Sequence, residues 1–243
     1  MTFLTRYEDD PSRPSVRGAL RDVVVRALAP AVMLWAVVTG FGLLLVHGPL
    51  RGLGRAETDV NRSLEDSRTS TWDDVTYVVS ALGNTQLIIA SCVVTVAVLY
   101  WKTRQWWYAA VPALAVMLQS VIFFFAATVT GRDRPPVEQL DSSPPTTSYP
   151  SGHTSAATAL YITLLLVAMR IPHKGVRRAL IVLFVLMPFL VALARLYRGM
   201  HQPTDVAASL VNGSVCALLA WNYLRREEPA TATDRSMSRA RSR

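Results

Sequence analysis

TTSYPSGHTSAATALYITLLLVAM, residues 146–169, places a polar threshold in front of a long apolar run. The apolar part has the length and lack of charge expected of a helix that crosses a lipid bilayer. Ser151, Gly152 and His153 stand at the threshold. Two interpretations are open: a helix cap that happens to carry a histidine, or an anion site at a helix N-terminus.

The composition of the whole chain favours a membrane protein. Of its 243 residues, 51% are hydrophobic, and the formal net charge is +8. In a soluble protein such a charge would suggest nucleic acid as a partner. Here the arginines adjoin apolar blocks, so anionic lipid headgroups are the expected partner and no nucleic acid is predicted.

Blocks of roughly twenty apolar residues recur along the chain, each long enough to span the hydrocarbon core. We therefore predict an all-α fold, a six-transmembrane helical bundle with short interfacial helices in the outward loops. The predicted spans are 27–47, 84–101, 106–129, 153–169, 178–196 and 204–224. The predicted organisation is a cytoplasmic N-terminal segment (1–22), a six-helix membrane domain (23–224) and a disordered basic tail (225–243).

Lysine and arginine mark the loops of one side, which predicts the orientation in the membrane. They are concentrated before the first span, in the turns after the second and fourth spans, and in the tail. That side is therefore predicted to be cytoplasmic. The loops 48–83, 130–152 and 197–203 then share the extracytoplasmic face, which brings His153 and His201 to the same surface.

The residues of the threshold suit an anion. Ser151 is the predicted N-cap of the fourth span, where free N–H groups and the helix dipole attract phosphate. Gly152 lets the backbone approach an anion closely. His153 can give or take a proton there. Taken alone, ordinary capping explains these residues as well.

Two other stretches reach the same face. Arg132 and Arg134 carry guanidinium groups that match phosphate oxygens, although arginines at a membrane surface also anchor to headgroups. Arg195 lies at the outer end of the fifth span. His201 and Asp205 are four residues apart, so the carboxylate can reach one imidazole nitrogen and leave the other free to attack. A chance pair at a helix start has the same spacing.

Together the three stretches resemble the type 2 phosphatidic acid phosphatase family, also known as the lipid phosphate phosphatases. The family pattern consists of Lys-x6-Arg-Pro, Pro-Ser-Gly-His and Ser-Arg-x5-His-x3-Asp. The chain matches it at Arg134-Pro135, at Pro150 to His153, and at Arg195, His201 and Asp205. The resemblance covers roughly residues 75–224.

The resemblance implies a metal-independent phosphohistidine mechanism without a cofactor. His201 would be the nucleophile, Asp205 its orienting partner, and His153 the group that protonates the leaving oxygen and later activates water. The phosphoryl oxygens would be held by Arg134, Arg195, Ser151 and the backbone N–H of Gly152.

Two positions depart from the family pattern. Ala127 stands where the family has its lysine, and Ala194 precedes Arg195 where the family has serine. Arg132 is close enough in sequence to replace the lysine, and we predict that it contributes to phosphate binding.

The expected substrate is a lipid phosphate presented by the membrane, with polyprenyl diphosphate favoured and phosphatidate or phosphatidylglycerophosphate as the alternative. Two other classes of function stay open. A metal-dependent enzyme could use His153, His201 and Asp205 as ligands, and a non-catalytic lipid-binding or transport protein would be consistent with Ala127.

Overall fold

The computed structural model describes residues 14–142 and 147–224. These residues form helices and connecting loops without a β-strand, which confirms the all-α prediction. The predicted disordered tail and residues 1–13 of the predicted cytoplasmic segment lie outside the described residues.

Eight longer helices are described, besides a short 3₁₀ helix at Pro49–Gly52. They are α1 (Val16–Val46), α2 (Leu53–Asp66), α3 (Ser70–Ala81), α4 (Thr85–Thr103), α5 (Trp106–Thr130), α6 (Gly152–Ala168), α7 (Lys174–Tyr197) and α8 (Pro203–Asn222). Helices α1, α4, α5, α7 and α8 are long and apolar enough to cross a membrane, and α6 is a shorter apolar helix of 17 residues. The count of six spans therefore stays a prediction.

Helix α1 begins earlier than its predicted span. It starts after the N-cap Ser15 and contains a π-helical turn, Val24–Leu28, just before Pro30. A proline has no N–H to donate and its ring crowds the preceding turn, which accounts for the wider turn at this point. The helix thus extends past the apolar residues into the polar part of the sequence.

The start of each site-bearing helix follows from its local sequence. Ser151 caps α6, and its hydroxyl accepts from the N–H of Thr154. Helix α8 starts at Pro203, with a capping box between Gln202 and Asp205. Both helices therefore begin beside polar residues that the sequence had assigned to the site.

Helix α6 is the centre of the bundle and packs against α5, α7 and α8. Several of its polar side chains, including Thr154, Ser155 and Thr158, are completely or almost completely buried. Large apolar side chains of the surrounding helices are instead exposed, for example Met33, Val93 and Leu193. A protein with this distribution buries its polar groups inside the bundle and turns its apolar surface to lipid.

The predicted interfacial helices are present as α2 and α3, in the connection between the first two spans. Helix α3 packs against α7, and α2 contacts both α7 and α8. The two short helices thus cover the end of the bundle at which α6 and α8 begin.

The loop before α6 is fixed to the first span by one side chain. Tyr149 is fully buried, and its hydroxyl donates to the carbonyl of Val38 at 2.7 Å. Gly42 leaves the space for this ring, since a Cβ there would lie 2.6 Å from Tyr149 Cε1. Helix α1 therefore positions the Pro-Ser-Gly-His segment.

Candidate active site

A cavity of about 550 Å³ opens at the end of the bundle where α6 and α8 begin. Four of the predicted site residues line it together: Arg134, His153, Arg195 and His201. Gly152 lines it as well, at the first position of α6. The three sequence motifs therefore meet at one cavity, as their shared membrane face predicts.

His201 is held by a backbone carbonyl. Its Nδ1 lies 2.7 Å from the carbonyl oxygen of Ser148. A carbonyl oxygen can only accept, so Nδ1 carries the proton and the lone pair resides on Nε2. Asp205, the expected partner, lies 3.9 Å from Nδ1, beyond hydrogen-bond distance. The residue that directly fixes the tautomer is thus Ser148, which the motif spacing did not indicate.

Asp205 contributes indirectly, because its carboxylate holds Ser148. The carboxylate is fully buried and accepts from the Ser148 hydroxyl, from the backbone N–H of Gln202 at 2.8 Å and from Arg132 at 2.5 Å. One carboxylate thus fixes the residue that orients His201 and also caps α8.

Arg132 lies on the far side of Asp205 and does not line the cavity. Its guanidinium group pairs with Asp205 and with Glu57 of α2, both at 2.5 Å. It also donates to Thr204 at 2.7 Å and to Gln202 at 2.5 Å. The structure therefore does not bring Arg132 to the place of the missing lysine, because two buried carboxylates bind it elsewhere.

Glu57 was not identified from the sequence. Its carboxylate accepts from the N–H and the hydroxyl of Thr204, at 2.8 and 2.6 Å, in the first turn of α8. A negative charge at a helix N-terminus is favourable, and Glu57 also neutralises Arg132. The acidic residue on a polar-looking helix is in fact buried, with 5% of its surface exposed.

Arg195 enters the cavity from the end of α7. One of its terminal nitrogens donates to Asp141 at 2.6 Å and to Ser80 at 2.9 Å. Its Nε is buried without a hydrogen-bond partner among the described residues. An unpaired guanidinium N–H beside a cavity is a donor for an anion, since a buried donor left unpaired is costly.

Asp141 lies in the loop between α5 and α6, and it also binds Arg198 at 2.7 Å. Burial alone would raise the pKa of this carboxyl, but the hydrogen bonds and charges of Arg198 and Arg195 outweigh burial and lower the pKa. The carboxylate therefore stays ionised and holds both arginines. Sequence reasoning missed it because it lies outside the motifs.

Arg134 is oriented by the backbone beside His201. Its guanidinium donates to the carbonyl of Met200, the residue before His201, at 2.8 Å. Burial lowers the pKa of Arg134, and Asp205 opposes that change. Arg134 thus lies in the cavity as a cation held at a fixed place next to His201.

Ser151 and Gly152 differ in their relation to the cavity. The Ser151 hydroxyl is buried, donates to Thr154 Oγ1 at 3.0 Å, and does not line the cavity. Gly152 lines the cavity and lies beside the ring of Phe123. A Cβ added to Gly152 would lie 3.2 Å from that ring. The helix start, more than the serine hydroxyl, is therefore what α6 presents to a ligand.

The cavity is electropositive. Burial lowers the pKa of His201 well below its ordinary value, and the positive charges of Arg195 and Arg134 lower the pKa further. His201 is therefore neutral at neutral pH, with a free lone pair on Nε2. A neutral imidazole among cations suits nucleophilic attack on an anion such as phosphate.

Ala127 lies four residues after Phe123, on the face of α5 that lines the cavity. A longer side chain at this position would lean toward the helix N-terminus, over the turn of α5 that carries Phe123. Among residues 14–142 and 147–224, no group of three or more His, Cys, Asp or Glu side chains is placed to hold a metal ion.

Comparisons with known proteins agree with this architecture. The family model of the PAP2 superfamily matches residues 104–229, just over half of the chain. No curated protein sequence matches significantly.

Two crystal structures share the fold. One is a transmembrane PAP2-type phosphatidylglycerolphosphate phosphatase from Bacillus subtilis, with 17% identity, a TM-score of 0.67, and coverage of 79% of this chain and 92% of that one. The other is LpxE from Aquifex aeolicus, with 21% identity, a TM-score of 0.53, and coverage of 67% and 92%. With the family model spanning all three helices that carry the site, the chain is an integral membrane protein that belongs to the PAP2 superfamily.

Proposed function

We propose that the protein hydrolyses lipid phosphates through a phosphohistidine intermediate on His201, without a metal ion. One observation carries this proposal. The Nδ1–H of His201 is engaged by the Ser148 carbonyl, so the lone pair of Nε2 belongs to a side chain that lines a cavity with Arg134 and Arg195.

The reaction follows from these placements. His201 Nε2 attacks phosphorus and forms a P–N bond, while the bond to the leaving oxygen breaks and that oxygen takes a proton from His153. His153 then removes a proton from water, which attacks phosphorus and breaks the P–N bond. Inorganic phosphate leaves, and both histidines return to their starting states.

Charge stabilisation comes from the cations and the helix start. Arg134, Arg195 and Gly152 line the cavity, and we assign the guanidinium of Arg134, the unpaired Nε–H of Arg195 and the N–H of Gly152 to the three non-bridging oxygens. Phosphoryl transfer depends on such positioning and charge stabilisation more than on further covalent chemistry. Asp205 and Ser148 act through His201.

The lower part of the same cavity suits a lipid. Its walls include Ile88 and Ile89 of α4 and Val116 of α5, two helices with lipid-exposed faces. A lipid chain can therefore stay in the hydrocarbon region while its headgroup reaches the histidines. This arrangement favours membrane-borne over water-soluble phosphate esters.

The loops that form the site are proposed to face the extracytoplasmic side, on the grounds of the lysine and arginine distribution. Polyprenyl diphosphate and phosphatidyl-type monoesters are both exposed there. Exposure of the substrate on this face is the argument for polyprenyl diphosphate. The Bacillus subtilis protein of similar fold is named for phosphatidylglycerophosphate, which is the alternative substrate.

The test is a comparison of His201→Asn with His47→Asn. His47 is a matched control because it is an exposed histidine on the same face that does not line the cavity. Purified protein in detergent is assayed for phosphate release from phosphatidate and polyprenyl diphosphate with EDTA present, and for an acid-labile phosphoenzyme.

We expect wild type and His47→Asn to turn over and to trap phosphate, and His201→Asn to do neither. Turnover that EDTA abolishes would identify a metal-dependent enzyme. A wild type that binds but never cleaves these lipids would identify a non-catalytic lipid-binding protein.

A further inference from the structure

Five residues of α5 face the cavity, and their order along the helix forms a gradient of polarity. Val116, Gln119, Ser120, Phe123 and Phe124 follow the three- and four-residue spacing of one helix face. Phe123 contacts Gly152 at the level of the phosphate site. Gln119 lies four residues before it, about 6 Å deeper at 1.5 Å per residue.

Gln119 carries an unpaired polar atom at that depth. It is 3% exposed, and its Oε1 has no hydrogen-bond partner among the described residues. Its Nε2 donates to the hydroxyl of Ser120, its own neighbour, at 2.8 Å. This bond joins no two helices, so it does not explain a glutamine inside a membrane span, where polar side chains are costly.

The opposite walls at this depth are apolar. Ile88 and Ile89 lie one turn below the outer end of α4, and Ala156 lies one turn below the start of α6. From the outside inward, the cavity is thus first cationic, then neutral and polar at Gln119 and Ser120, then apolar. A ligand that fits carries an anion, a neutral hydrogen-bonding group and a hydrocarbon chain, in that order.

We propose that Gln119 and Ser120 form a subsite for the ester linkage of a glycerol-based lipid phosphate, and that the protein prefers such lipids to isoprenoid phosphates. This inference rests on the proposed function and names its substrate class. In a diacylglycerol phosphate the ester groups lie a few bonds beyond the phosphate, whereas an isoprenoid continues directly as hydrocarbon.

The amide and the hydroxyl can serve an ester carbonyl as a pair. When the Gln119 amide turns by about 180°, the Ser120 hydroxyl donates to Oε1 and the Nε2 N–H is free for the carbonyl. The ester carbonyl of the ligand then accepts from an amide N–H that has no partner when the ligand is absent.

The experiment compares three substrates of similar chain length: diester phosphatidate, its diether analogue, and an isoprenyl phosphate. The diether lacks the carbonyls but keeps the phosphate and the chains. For wild type we expect kcat/KM on the diester to exceed that on the diether by about tenfold, the worth of one buried hydrogen bond. The isoprenyl phosphate should resemble the diether.

Gln119→Met keeps the length of the side chain and removes its hydrogen bonding. We expect the diester-to-diether ratio to fall to about one, with activity on the diether retained as evidence of folding. Ser120→Ala should lower the ratio part of the way. The matched control is Thr95→Val, at a partly buried position on α4 outside the cavity, which should keep the wild-type ratio.

Equal rates on diester and diether in wild type would overturn the inference, as would a tenfold ratio that survives both Gln119→Met and Ser120→Ala. The same lipids are also tested for their protection of the purified protein against thermal unfolding. If no lipid is cleaved, the proposed function fails. The subsite still stands if the diester protects wild type more than the diether and Gln119→Met removes that difference, and it fails if both lipids protect equally.

Discussion

Asp205 serves two purposes at once, and this explains why its surroundings are so polar. Its carboxylate holds Ser148, which orients His201, and it also accepts from Gln202 at the start of α8. A fully buried carboxylate is costly unless it is paired and hydrogen-bonded. Arg132 supplies the positive charge that pairs with Asp205 through one terminal nitrogen, and its other terminal nitrogen pairs with Glu57. The orientation of His201 thus depends on a buried ionic cluster that does not line the cavity.

Replacement of Arg132 tests this arrangement. Arg132→Met leaves Glu57 and Asp205 buried without a cation, so the free energy of unfolding should fall by about 3–5 kcal/mol. We expect kcat to fall as well, because Asp205 no longer holds Ser148 in place, while KM and inhibition by inorganic phosphate stay close to wild type. Arg132→Lys should recover part of both losses.

Arg134→Met is the comparison for Arg132→Met, since Arg134 lines the cavity and, within residues 14–142 and 147–224, its hydrogen bond goes to a carbonyl. It should weaken phosphate inhibition and raise KM while largely sparing stability. If Arg132→Met instead weakens phosphate inhibition and leaves stability intact, Arg132 is a phosphate ligand after all.

The residues that reach the cavity could be predicted from the sequence, but their partners could not. His153, Arg134, Arg195 and His201 sit in motifs whose spacing places them at helix ends on one face. Ser148, Glu57 and Asp141 act through contacts with residues 53 to 147 positions away. No local pattern records such a contact, because it depends on how the helices and loops pack.

The packing of α6 against α8 determines whether the motifs meet. Gly213 of α8 lies against α6 so closely that a Cβ there would be 2.5 Å from the Ser155 carbonyl oxygen and 2.9 Å from the Ala159 nitrogen. Small residues permit such contact between helices in a membrane. Polar groups then join the helices, as in the bond from the Ser151 N–H to Ser209 Oγ at 2.7 Å.

Gly213→Ala should therefore separate the two helices. The obstructing atoms belong to the backbone and cannot rotate away, so we expect a loss of about 1–3 kcal/mol in stability together with reduced turnover. Gly40→Ala is the matched control: it is also a helical glycine, but nothing lies within 4 Å of its added Cβ. Higher helix propensity should leave the control unchanged or slightly stabilised. Thermal unfolding in detergent measures the stability of both variants. Equal unfolding midpoints would show that the close contact of Gly213 with α6 does not contribute to stability.

At the level of helices, the apolar blocks predicted their existence and most of their ends. The start of α1 was missed because Arg17, Arg21 and Asp22 look like a polar leader. A helix can continue through such residues when it is capped, and Ser15 provides that cap. The apolar residues of a sequence indicate which part of a helix contacts lipid, whereas the N-cap residue indicates where the helix begins.

The charge distribution of the whole molecule bears on its orientation. Arginines and lysines flank the ends of the spans opposite the cavity. The cavity end holds exposed arginines such as Arg55 and also arginines that pair with Asp141, Glu57 and Asp205. Paired arginines inside a site contribute little to the loop charge that orients a membrane protein, so the inner clusters dominate. The cavity should therefore face the extracytoplasmic side.

Single cysteines can test this orientation, because the natural Cys92 and Cys216 are both buried. Arg55→Cys is an exposed position on α2 beside the cavity end, and Lys174→Cys is an exposed position at the opposite end of α7. In sealed, right-side-out vesicles, a membrane-impermeant maleimide should label Arg55→Cys at once and Lys174→Cys only after detergent is added. The wild type provides the background in both conditions. The reverse pattern would place the histidines on the cytoplasmic face, where the substrate would have to be presented from the inner leaflet.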